Sequence, residues 1–329
     1  MPLRPSPSLD VHLTPSDLRA QLEHDVRVGL TASQKWIPAT WFYDDEGCRL
    51  FDEITRLPEY YPTRTERSIL TGAAGELAAI ARPRTMVELG SGTSEKTTLL
   101  IDACIDEGSL TRFVPFDVAE ATLLDAMARL DDRYDLDLHG VVGDFRRHLG
   151  DLFAATAGDG PRLVVFLGGT IGNLNETERH SFFREVADAF GPGDALLLGT
   201  DTVKDRARLV RAYDDAAGVT AAFNRNVLTV VNRELDGDLD PMRFDHVARF
   251  DETHQRIEMV LRARERHHAD LIGLDLGVRF EEGEDLLTEI SCKFTGPRLR
   301  EEVELAGLAL AGAWTDPAGD FLVTLLQLG

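Results

Sequence analysis

The chain has 329 residues, enough for one large domain or two smaller ones, each with room for a substantial core. Its 57 acidic and 35 basic residues leave a formal net charge of −22, which repels phosphate backbones and anionic membrane surfaces, so neither nucleic acid nor membrane is an expected partner. No stretch approaches the ~20 apolar residues of a membrane span. The Pro-rich start Met1-Pro-Leu-Arg-Pro-Ser-Pro7 also lacks the apolar core of a signal peptide. Three scattered cysteines, Cys48, Cys104 and Cys292, suit a reducing compartment rather than a disulfide framework. A cytoplasmic monomer with a frayed start of about ten residues is the resulting expectation. The histidines are scattered too, and His267-His268 lies in a polar run that reads as a solvated face, so no metal site is expected.

Residues 11–63 carry helix-like apolar spacing and an aromatic cluster, Trp36, Trp41, Phe42, Tyr43, Phe51, Tyr60 and Tyr61. Next, Thr85-Met-Val-Glu-Leu-Gly-Ser-Gly-Thr-Ser-Glu-Lys96 reads as a strand entering a Gly-x-Gly turn and a helix start. Gly90 and Gly92 let the backbone turn sharply and approach a ligand, and free N–H groups at the helix opening face it. A dinucleotide fingerprint wants a third glycine where this chain has Glu95, so that pattern is broken. Glu88 ahead of the turn fits the nucleotide loop of enzymes that use S-adenosylmethionine (SAM). An ordinary strand-to-helix turn is the alternative.

Further along, Arg112–Asp117 reads as a second strand, Glu120–Leu130 as a helix and Leu138–Asp144 as a third strand. Leu163–Gly168 and Ala195–Asp201 are fully apolar runs of the kind found in central parallel strands. The alternation predicts an α/β, doubly wound, Rossmann-like sheet, with Gly90, Asp117, Asp144, Gly168 and Asp201 at one rim. The remaining segments, 1–63 and 204–293, are expected to form a second α+β substrate-binding lobe. The methyltransferase-type domain then spans 64–203 and 294–329, its tail from Gly319 returning as an edge strand, and the substrate is expected between the lobes.

Asp117, at a strand end after the glycine turn, is placed to accept both hydroxyls of a ribose. Asp144-Phe145 reads equally as a contact to an adenine or as a helix cap. Lys96, one turn into the first helix, is either a partner for the carboxylate of SAM's methionine tail or a solvated lysine. Gly168-Gly-Thr-Ile-Gly-Asn173 ends a buried strand in glycines where methyl donor and acceptor must meet. Asn173 offers a donor and an acceptor to an ammonium and a carboxylate held side by side; a turn-serving Asn is its other reading.

Several long blocks carry a resemblance: Lys35-Trp-Ile-Pro-Ala-Thr-Trp-Phe-Tyr-Asp44, Ile54-Thr-Arg-Leu-Pro-Glu-Tyr-Tyr-Pro-Thr-Arg-Thr-Glu66, Glu88 to Thr97, Phe166 to Asn173, Tyr213 to Asn226 and Thr288-Glu-Ile-Ser-Cys-Lys-Phe294. Over roughly residues 20 to 329 the chain resembles the histidine-specific Nα-methyltransferases of ergothioneine biosynthesis. The resemblance implies three methyl transfers from SAM to the α-nitrogen of L-histidine, giving hercynine. It gives Gly90, Lys96, Asp117, Asp144 and Phe145 to SAM. Asn173, Tyr213, Tyr43 and the backbone at Gly168 fall to the amino and carboxylate groups, and Tyr60, Glu289, Ser291 and Met259 to the imidazole. Glu289 and Ser291, two apart on a strand, share a face. Tyr43 is the expected proton relay. A methyltransferase for another small amine or hydroxyl acceptor, or a noncatalytic SAM-binding protein, are the competing readings.

Overall fold

A computed structural model describes residues 6–158 and 160–329. Six strands precede Val203: β1 Ser8–Val11, β2 Thr85–Leu89, β3 Arg112–Asp117, β4 Asp137–Val142, β5 Arg162–Phe166 and β6 Ala195–Asp201. Five follow within the next segment: β7 Phe244–Asp251, β8 Arg256–Ala263, β9 His267–Leu271, β10 Leu276–Phe280 and β11 Asp285–Cys292. Two more close the chain, β12 Leu308–Thr315 and β13 Phe321–Leu328. Among the described residues, no helix is long and apolar enough to cross a membrane.

The chain divides into two compact units. Unit 1 takes the segment ending at Leu13, Arg64–Thr202 and Phe294–Gly329; unit 2 takes Thr14–Thr63 and Val203–Lys293. In unit 1 the sheet runs β1-β4-β3-β2-β5-β6-β13-β12, with parallel pairing as far as β6 and antiparallel pairing beyond it. Strands β2, β5 and β6 are buried at every position because both faces are covered, which is why they read as continuous apolar runs. Their side chains join Leu77, Ile101, Phe113 and Val323 in one core.

Two expectations are corrected here. The start is not frayed over its described part: Ser8–Val11 adds β1 beside β4, in unit 1 rather than in the substrate lobe, while residues 1–5 lie outside the described residues. The physical reason is edge pairing. His12 N donates to Val142 O at 2.9 Å, Ser8 Oγ bonds His139 Nδ1 at 2.7 Å, and Asp10 meets Nε2 of the same ring at 3.0 Å. The tail strand β13 is not an edge either, because it lies between β6 and β12. The true edge, β12, mixes small residues with a half-exposed alternation that carries little strand signal.

Unit 2 has a three-stranded antiparallel sheet, β11-β8-β7, and a β9-β10 hairpin. Its core gathers Phe42, Leu209, Val227, Val231, Leu261 and Leu286, with Trp41 donating to Asp25 Oδ2 at 3.0 Å. His267 departs from the solvated reading: β9 alternates in and out, and His267 is buried, stacked 5.1 Å from Phe280, while His268 faces solvent.

Candidate active site

The rim of unit 1 is built from backbone geometry held by carboxylates. Gly90 and Gly92 have φ of 65° and 49°, the left-handed region that favours glycine, and a Cβ added at either would meet nothing within 4 Å. The open space over this turn is a cradle. Ser91 Oγ is buried there with no hydrogen-bond partner among the described residues, so the loop offers a ligand an unused polar atom. Asp117 Oδ2 accepts from Gly92 N at 2.8 Å and its Oδ1 from Ala119 N at 2.9 Å. Burial pushes the Asp117 carboxyl up despite those donors. A carboxylate has about four acceptor positions, so capacity for a diol remains.

Behind the turn, Glu88 accepts from Ser94 Oγ at 2.8 Å and from Thr97 Oγ1. It therefore braces the loop from inside, and burial pushes it up to about 7 against those two hydroxyls. Lys96 pairs with Glu66, which is fully buried. Both carboxylate oxygens of Glu66 also take the Gly168 N–H, at 2.8 and 3.0 Å, so one residue links Lys96 to the glycine turn after β5. A side chain at Gly199 would run into this carboxylate, which explains the glycine in β6. Gly168 and Gly169 turn with φ of 78° and 71°. Asn173 closes the 3-10 turn Thr170–Asn173 and is partly exposed; its carbonyl accepts from Arg146 at 3.4 Å.

Asp144 caps the helix Phe145–Ala155, accepting from Arg146 N at 2.9 Å. The cap reading of Asp144 is thus realised. Phe145 packs edge-on against Phe166, with ring centroids 5.1 Å apart, and stays partly exposed at the same rim.

In unit 2 the groups are side chains that hold one another. Tyr213 ends the helix Arg206–Tyr213, and its hydroxyl lies 2.7 Å from Ser291 Oγ on β11. Lys293 Nζ donates to both, at 2.9 Å to Tyr213 and 2.8 Å to Ser291, and stands 4.7 Å from the Tyr213 ring centroid. Tyr213's carbonyl accepts from His246 Nε2 at 2.8 Å, while His246 Nδ1 accepts from Asn224 at 2.8 Å. Burial holds that imidazole below its usual range, in keeping with a neutral ring that donates at one nitrogen and accepts at the other.

Glu289 sits opposite Met259 in the β11–β8 ladder and Ser291 opposite Ile257. A bulge at Thr288 breaks the register ahead of Glu289, yet alternation is regular from there on, so Glu289, Ser291 and Met259 share a face. Met259 is buried. Tyr60 lies 6.1 Å from Tyr213 and 6.3 Å from Phe51, which in turn lies 5.7 Å from Tyr43, giving a continuous run of rings. Tyr43 is 38% exposed. Sequence reasoning gave no role to Glu66, His246 or Lys293. For Lys293 a signal existed, since it continues the two-residue spacing of Glu289 and Ser291.

The whole chain has relatives of known kind. Residues 22–328 match the family described as histidine-specific methyltransferase, SAM-dependent. The histidine N-alpha-methyltransferase of Mycolicibacterium smegmatis is 54% identical over 319 residues, covering 97% of this chain and 98% of that protein. Its counterpart from Mycobacterium tuberculosis is 52% identical over 305 residues, 92% of this chain and 94% of that protein. More distantly, an L-tryptophan methyltransferase of Psilocybe serbica is 26% identical, with 88% of each chain covered. The chain belongs to the histidine-specific, SAM-dependent methyltransferase family.

Proposed function

We propose, from membership of that family, that the chain transfers methyl groups from SAM to the α-amino nitrogen of L-histidine, three in succession, yielding hercynine for ergothioneine biosynthesis. The observation that carries this reading is near-full-length likeness, at 54% identity, to a histidine N-alpha-methyltransferase.

The unit 1 rim suits SAM: its turn is open above Gly90 and Gly92, and Ser91 has an unused hydroxyl. Asp117 would take the ribose, Lys96 the methionine carboxylate, and Asp144 with Phe145 the adenine. When bound, SAM supplies an electrophilic sulfonium methyl for in-line displacement. The chain's own residues align the amine and exclude water. Tyr213, Asn173 and the Gly168 backbone would hold the amino and carboxylate groups, with Glu289 and Ser291 on the imidazole and Tyr60 and Met259 around it. An α-ammonium must lose a proton before it attacks, and the part-exposed Tyr43 hydroxyl would pass that proton to solvent. As methyls accumulate, the nitrogen loses donors and becomes an apolar cation, which aromatic faces at Tyr43, Phe51 and Tyr60 stabilise by ~0.5–2 kcal/mol.

Mass spectrometry of products from histidine and its mono- and dimethyl forms under limiting and excess SAM tests the reading. Trimethylated product is expected. Monomethylhistidine as end product with excess SAM would point instead to another small-amine methyltransferase.

A further inference from the structure

Lys293 is 0% exposed, and its ammonium donates to the two hydroxyls, Tyr213 and Ser291, that also bond each other. Donor counting decides what such a triangle can do. An ammonium has three N–H donors and no lone pair, so both hydroxyl oxygens must accept from it. One of the two hydroxyls must then donate to the other across their 2.7 Å contact. Whichever way that bond runs, the receiving oxygen has spent one lone pair on Lys293 and the other on its neighbour. Its own hydrogen is left to be donated outside the triangle, and it can accept nothing further. Left to themselves, two hydroxyls would be ambivalent; beside Lys293 they become a donor, strengthened by the adjacent positive charge.

We propose that Lys293 is a specificity-determining positioning residue, fixing the Tyr213–Ser291 pair as a hydrogen-bond donor that reads an acceptor atom of the amino-acid substrate. That acceptor is either an unprotonated ring nitrogen or a carboxylate oxygen, the groups histidine offers. A site with a fixed donor rejects an analogue lacking the acceptor far more strongly than an apolar pocket does, because the buried donor is then left unpaired. The inference rests on the histidine reading above.

Lys293→Met keeps the length of the side chain and removes its donors. Calorimetric titration, with demethylated cofactor present, compares three ligands: histidine; histidinol, which lacks the carboxylate; and 3-(2-thienyl)alanine, which lacks the ring nitrogens. Millimolar competition against histidine extends the range for the weak ones. The variant should bind histidine about tenfold or more weakly, the range for a charge-assisted bond. One analogue should be insensitive to the substitution, within about twofold, because its acceptor is already gone, and the insensitive analogue identifies the acceptor. In turnover, KM for histidine should rise with kcat nearly unchanged. Equal weakening of all three ligands, no weakening, or a fall in kcat at constant KM would overturn the proposal. Should Lys293→Met not fold, judged by circular dichroism and retained cofactor binding, Tyr213→Phe in the same titrations breaks the triangle and carries the same outcomes. Wild-type binding and turnover of histidine judge the underlying reading separately.

Discussion

The two units solve the problem of holding a small polar ligand in opposite ways. At the rim of unit 1, carboxylates serve the backbone: Asp117 takes the Gly92 and Ala119 N–H groups, Glu66 takes Gly168, and Asp144 takes Arg146. In unit 2, side chains serve one another, as Lys293, Tyr213 and Ser291 do, on elements that are already complete without them. Ligand recognition and fold stability are therefore coupled in the first unit and separable in the second.

The strongest way to break that contrast is at Glu66. Glu66→Leu leaves Lys96 and the Gly168 N–H without their shared carboxylate, and unfolding in denaturant should show a loss of about 3–5 kcal/mol. A folded variant of unchanged stability would remove Glu66 from the rim's support. Next in size is a pH effect at Glu88. Its folded pKa is raised to about 7 by burial, from 4.5, so the folded state holds the proton more tightly than the unfolded chain does. The stability from protonated Glu88 is complete below about pH 4.5 and is lost as pH rises through about 7. Relative to Glu88→Gln, the wild type should lose about 2–3 kcal/mol between pH 4.5 and 8, read from paired denaturant curves. A pH-independent gap between the two proteins would contradict the raised pKa.

Smaller effects sharpen the contrast. Asp117→Ala should weaken SAM by about 1.5–3 kcal/mol in calorimetry and lower stability as well, since the same carboxylate pins Gly92. Loss of affinity with stability intact would show the coupling to be absent. Glu289→Ala should cost histidine about 1–3 kcal/mol in kcat/KM while cofactor affinity and the unfolding midpoint stay put. Unaltered kcat/KM would take Glu289 off the imidazole.

Much of unit 1 was legible because its demands are local. Strands β3 and β6 appear where Arg112–Asp117 and Ala195–Asp201 were expected, and the turn after β2 was marked by Gly90 and Gly92. Asp144 was half legible: the strand-to-helix position announced a possible cap, and the Arg146 bond realises it. Glu66 was illegible since its partner Gly168 lies 102 residues away, and a glutamate in a helix reads as solvated until that partner is known. Lys293 and Tyr213 are 80 apart, and His246 was hidden in the same manner. Strand β1 was missed because four residues carry too little periodicity to outweigh a Pro-rich neighbourhood.

One consequence follows from the place of β13 in the sheet. β6 pairs on one side with β5, whose residues precede it, but on the other with Phe321–Leu328, the last strand of the chain. The whole of Val203–Lys293 is translated between the two. During synthesis, then, the apolar run Ala195–Asp201 waits as an open edge with unpaired N–H and C=O groups while unit 2 is being made. A chain released short of Phe321 keeps that edge for good and is directed towards aggregation rather than towards a smaller working enzyme.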